Sequence, residues 1–74
     1  MNRVTQFGEA EQLTIKSFEN DVIGNRLMSM GVLPGSRIII ERISPFRGGF
    51  CLKVVGGQKL AIRYVEADTI LVEK

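Results

Sequence analysis

A switch of hydrophobic period within ten residues constrains this chain more than any other feature. Over Arg26-Leu27-Met28-Ser29-Met30-Gly31-Val32-Leu33-Pro34-Gly35 a helix ends and a sheet begins. Ile23, Leu27 and Met30 recur at i, i+4 and i+7, one apolar stripe of a helix. Gly31 then stands where a left-handed residue closes a helix at no steric cost. Pro34 brings a fixed φ, and Gly35 can take the positive φ of the third position of a type II turn. Ile38, Ile39 and Ile40 follow at once, β-branched residues suited to a strand. Leu27, Met30, Gly31, Pro34 and Gly35 are therefore the residues expected to determine the fold.

The rest of the chain reads as short strands. Met1 to Phe7 carries weak signals, those of a loose arm or an edge strand. Leu13 and Ile15 alternate with Gln12, Thr14 and Lys16, a half-buried first strand. Asn20 is placed to cap a helix over about Asp21 to Met30, with Asp21 facing the positive end of the dipole. Gly24 inside it is either a tolerated weakness or a close approach of neighbouring backbone. The second strand covers about Ser36 to Ser44, with Ile38 and Ile40 on one face and Ile39 and Ile43 on the other. Pro45 to Gly49 is a loop. Phe50, Leu52 and Val54 form the inward set of the next strand, and Gly56-Gly57 signals a two-residue hairpin. Leu60 and Ile62 return on the same face, Tyr64 to Asp68 makes a helical turn, and Ile70 and Val72 end the pattern.

Seventy-four residues suffice for one small domain. About five strands with a single main helix do not make a doubly wound sheet, which needs repeated βα crossovers. The expectation is a mainly β fold, a small antiparallel barrel whose closure removes vulnerable edges. The helix lies between the first two main strands and a short helical turn precedes the last. A single cysteine excludes a disulfide scaffold. No apolar run approaches the ~20 residues of a membrane span, and polar Gln6, Glu9 and Glu11 stand where a signal peptide keeps its apolar core. A cytoplasmic domain is expected.

The order Arg26-Leu27-x-x-Met30-Gly31, Pro34-Gly35, Ile38-x-Ile40, Pro45, Leu60-Ala61-Ile62-Arg63, Glu66-Ala67 and Ile70-x-Val72 resembles the FeoA family. These are small cytoplasmic proteins of bacterial ferrous-iron uptake with an SH3-like barrel. The resemblance runs from about Gly8 to Glu73. It implies a non-enzymatic accessory protein acting with FeoB, the membrane transporter with a cytosolic GTP-binding domain. It implies a place at the inner membrane through that partner, without insertion. One departure stands out: family members often carry Pro-Leu-Gly-x-Pro where this chain has Pro45-Phe46-Arg47-Gly48-Gly49.

The residues argue against catalysis. Histidine, the usual base near neutral pH, is absent, so Cys51 has no Cys–His partner. Gly56-Gly57 lacks the Lys-Ser/Thr of a phosphate loop. Cofactors and catalytic residues are expected to be none. Metal binding belongs to the family at most, because ferrous iron prefers imidazole, carboxylate or thiolate sets. Here Glu9, Glu11, Glu19, Asp21, Glu66 and Asp68 read as solvated charges or helix-dipole partners. Cys51 reads as a semi-buried thiol turned away from Phe50 and Leu52.

What remains is contact chemistry. Val32, Leu33 and Phe46 lie in loops and either join a partner surface or close the barrel ends. Arg26, Arg47 and Arg63 are the candidates for charged contact. From Arg37 to Arg63 the chain carries a local charge of +5, inside a net charge of +2. That stretch supports one competing expectation, nucleic-acid or ribosome binding through basic charge and aromatic stacking by Phe46, Phe50 and Tyr64. Phe50 points inward in this pattern, which leaves few stacking platforms. With no tryptophan and one tyrosine, the chain is poorly supplied for an aromatic groove that reads proline-rich peptides. Oligomeric state is not set by the sequence.

Overall fold

The computed structural model describes residues 2–74, so Met1 lies outside the described residues. Six strands and two helices follow in the order β1 (Asn2–Arg3), β2 (Gln12–Phe18), α1 (Asp21–Ser29), β3 (Arg37–Ile43), β4 (Gly49–Val54), β5 (Lys59–Arg63), α2 (Tyr64–Ala67) and β6 (Ile70–Glu73). One antiparallel sheet runs β1-β6-β2-β3-β4-β5. This is a mainly β, small SH3-like architecture with six strands rather than about five.

The additional strand comes from the N-terminus. Asn2 and Arg3 pair with Val72 and Leu71, so residues 2–7 begin as an edge strand and are packed rather than loose. Val4 is fully buried, and the Thr5 hydroxyl donates to Asp68 Oδ1 at 2.7 Å. Arg3 donates to Glu19 Oε2 at 2.8 Å and to the Asp68 carbonyl at 2.6 Å. The hydrogen bond to Glu19 holds its guanidinium pKa above the usual value.

Alternation supplies the core. Leu13 and Ile15 from β2, Ile38 and Ile40 from β3, Phe50, Leu52 and Val54 from β4, and Ile70 and Val72 from β6 all face inward. Leu27 of α1 joins this core, fully buried. Asn20 caps α1 as expected, its side chain accepting from the Ile23 N–H at 2.9 Å. Gly24 meets a side chain and not backbone: a Cβ there would lie 2.9 Å from Phe18 Cβ. The glycine lets α1 lie close against β2.

Two further expectations change. The β3–β4 register shifts between Ile40 and Arg42, so Ile43 pairs with Phe50 and packs against the core instead of facing away from Ile38 and Ile40. The β4–β5 connection is four residues long, 55–58, and not a two-residue turn. It closes with the Val54 N–H donating to the Gln58 carbonyl at 3.1 Å and the Gly57 N–H to the Val54 carbonyl at 2.8 Å. Among the described residues, no helix is long and apolar enough to cross a membrane.

Candidate functional site

The α1–β3 junction is built for the interior. Gly31 and Gly35 take φ of +89° and +91°, the left-handed values that glycine adopts without penalty. The N–H groups of Met30 and Val32 both donate to the Leu27 carbonyl at 3.0 Å, and the Gln58 side chain donates to the Met30 carbonyl at 3.0 Å. This winding turns Val32 inward. Val32 is fully buried, so of its two readings, joining a partner surface or closing a barrel end, its burial goes with the second. Met30 is half-buried against the core, and Leu33 is 47% exposed at the tip.

The β3–β4 loop has the opposite character. Pro45–Arg47 forms a 3-10 turn in which Phe46 (φ +62°) and Arg47 (φ +56°) both hold left-handed backbone. Neither is glycine, so both positions are strained. Phe46 nevertheless stands wholly in solvent. The loop is pinned around it: the Ser44 N–H donates to the Gly49 carbonyl at 2.9 Å and the Arg47 N–H to the Ser44 carbonyl at 2.9 Å. Arg47 turns back on its own chain. One of its nitrogens donates to the Thr5 carbonyl at 2.5 Å, and its guanidinium carbon lies 5.4 Å from the Phe50 ring centroid. Arg47 thus ties the loop to the N-terminal segment and is a tether first. The Tyr64 N–H donates to the Gly48 carbonyl at 3.1 Å, and the half-exposed Tyr64 ring lies 6.2 Å from that of Phe50. Phe46 and Tyr64 therefore flank the same connection.

Arg26 and Arg63, far apart in sequence, converge on one carboxylate. Glu66 in α2 is only 4% exposed, not a solvated charge. Its Oε1 accepts from the Arg63 N–H at 2.9 Å with the Arg63 Nε at 3.6 Å, and its Oε2 pairs with Arg26. The charge-assisted bonds satisfy a carboxylate that burial alone disfavours. Both guanidinium groups keep an outer side in water.

Most of the other carboxylates are held by the chain itself, while Asp21 stands in the first turn of α1. Glu9 accepts from the Ile43 N–H at 2.8 Å. Glu11 accepts from Lys74 and from the Gly8 N–H at 2.7 Å, and these bonds, Lys74 first, hold its pKa below the ordinary value. Glu19 holds Arg3, and Lys59 lies 3.1 Å from Glu41. Among the described residues, no group of three or more Asp, Glu, Cys or His side chains is placed to share a metal ion. Cys51 is exposed rather than semi-buried.

Sequence reasoning named Arg26, Arg63 and Glu66 separately and missed their union. The capping pattern of Arg63 and Glu66 three apart was the one local signal available. Nothing local ties Arg47 to Thr5.

A model of the FeoA domain matches residues 3–74. No curated protein matches the chain. Among solved structures, FeoA protein from Chlorobium tepidum superposes with a TM-score of 0.88 at 20% identity, over 97% of this chain and 69% of that one. A FeoA-like protein from Clostridium acetobutylicum gives 0.84 at 25% identity, over 99% and 88%. Iron(II) transport protein A from Clostridium thermocellum gives 0.85 at 27% identity, over 97% of this chain and 44% of that one, so the chain spans less than half of that protein.

Proposed function

This chain belongs to the FeoA family, associated with ferrous-iron transport, and from that premise we propose that it works as a non-catalytic binding module on a FeoB-type transporter, at its cytosolic GTP-binding region. The observation that carries this reading is the exposure of Phe46 on a loop fixed from both sides. A lone exposed aromatic means little, but one held in strained backbone is pre-organised for contact. Leu33 adds apolar area at a second tip, and the outer sides of Arg26 and Arg63 supply positive charge for encounter with an acidic partner surface. Glu9, Glu11, Glu19, Glu66 and Asp68, engaged by the chain's own donors, favour a contact role over iron capture or acid–base chemistry. The domain is accordingly read as one unit acting from the cytoplasmic side.

The test is a pull-down of the transporter's GTP-binding region by the full chain, with and without guanine nucleotide. The parent chain retains the region, and the Leu33→Ser/Phe46→Ser variant loses it while keeping its melting temperature. Equal retention by the two chains contradicts the reading. Salt-sensitive RNA binding with no transporter capture favours the nucleic-acid alternative.

A further inference from the structure

We propose that the outer edge of β5 is a docking edge for an extended, acidic segment of a partner protein, which adds to the sheet as one more strand. The two edges of the sheet are unequal: β1 is two residues long and β5 is five. The hairpin bond from the Val54 N–H to the Gln58 carbonyl sets the phase of the ladder. Antiparallel alternation then directs the main-chain groups of Leu60 and Ile62 to β4, and those of Lys59, Ala61 and Arg63 outward. The Arg63 N–H fits that phase, since it leaves the ladder to reach Glu66 Oε1. Among the described residues, no turn, cap or side chain bonds the outward groups of Lys59 and Ala61. They are a free template for strand addition.

Side chains at this edge say what the added strand carries. An open groove of about 460 Å³ lies alongside, lined by Glu41, Arg42, Cys51, Lys59, Leu60 and Ala61. Cys51 pairs with Ala61 and with Arg42 in register, so two small residues floor it between charged ones. Lys59, 3.1 Å from Glu41, and Arg63, 3.6 Å from Glu66, both keep most of their side chains in solvent two residues either side of Ala61, open to a further carboxylate. A second copy docking antiparallel about Ala61 sets Lys59 opposite Arg63 twice, and like charges directly opposite destabilise a pair. The same charges that guard the edge against self-association attract a strand with carboxylates two residues either side of its centre. This surface shares Arg63 with the encounter charge of the proposed function but involves neither Phe46 nor Leu33 and does not depend on them.

The test titrates the isotope-labelled chain with acetyl-Thr-Glu-Val-Ser-Val-Glu-Thr-amide, and with the peptide carrying lysine for both glutamates, following backbone amides by NMR. The acidic peptide shifts the amides of Lys59 to Arg63 saturably, and the lysine peptide binds about tenfold more weakly or not at all. Ala61→Pro removes an outward N–H, leaves the β4 ladder intact and abolishes the response. Lys59→Glu narrows or reverses the preference between the peptides, and decides the matter if Ala61→Pro does not fold. Equal response to both peptides, none at millimolar peptide, a response surviving Ala61→Pro in a dispersed spectrum, or a dimer formed through β5 overturns the proposal.

Discussion

The α1–β3 junction and the β3–β4 loop make the same backbone demand and answer it differently. Each needs two residues at positive φ. The junction places Gly31 and Gly35 there, and the loop places Phe46 and Arg47. At the junction the turn is relaxed and the side chain that follows, Val32, goes into the core. In the loop the strain is retained, offset by the Arg47 bond to Thr5, and the side chain it carries goes to water. Backbone conformation serves packing in the first region and presentation in the second.

Perturbing both regions sharpens that contrast. The largest effect falls on the junction. Leu27→Ala removes a fully buried side chain and lowers stability by about 2–5 kcal/mol, enough to unfold a domain of this size under mild denaturant. Equilibrium urea denaturation measures it. Gly31→Ala puts a Cβ on left-handed backbone and destabilises by about 1–2 kcal/mol, read from the same curves. Arg47→Gly in the loop relieves the same kind of strain but cuts the tether, so stability changes by less than about 1 kcal/mol. Backbone order parameters at residues 45–48 fall instead. A large loss of stability at Arg47, or none at Gly31, breaks the comparison.

The smallest effect is a matter of pH. The pKa of Glu11 is lowered by Lys74 and the Gly8 N–H. A depressed carboxylate stabilises the fold above its unfolded pKa, and the contribution is lost as pH falls through the folded value. Glu11→Gln therefore lowers the neutral plateau slightly, leaves stability at acid pH nearly unchanged, and so flattens the acid limb of the stability–pH curve.

Local rules made much of this fold legible. The Asn20 cap, the Gly31 stop, the Pro34-Gly35 turn and the alternation of Phe50, Leu52 and Val54 all depend on neighbours within a few residues. Where the outcome depended on a distant partner, the pattern misled. Ile43 changes face because of the register shift opposite β4, which strict alternation along β3 does not encode. Val32 looked like a loop residue, yet the turn that encloses it is held by the Leu27 carbonyl and Gln58. The Glu66 meeting point joins α1 to α2 across forty residues, counting from Arg26. The exposure of Phe46 was within reach of the sequence, because a proline–glycine loop leaves an aromatic few places to hide. Its strained backbone and its tether were not.

The central claim is that this strained loop exists to present Phe46 to the transporter. Isothermal titration of the transporter's cytosolic GTP-binding region with the parent chain and with Phe46→Ser tests it most directly. The account predicts an affinity at least about 30-fold weaker for the variant, the signature of an aromatic hot spot, with an unchanged melting temperature. Equal affinity for the two chains contradicts it.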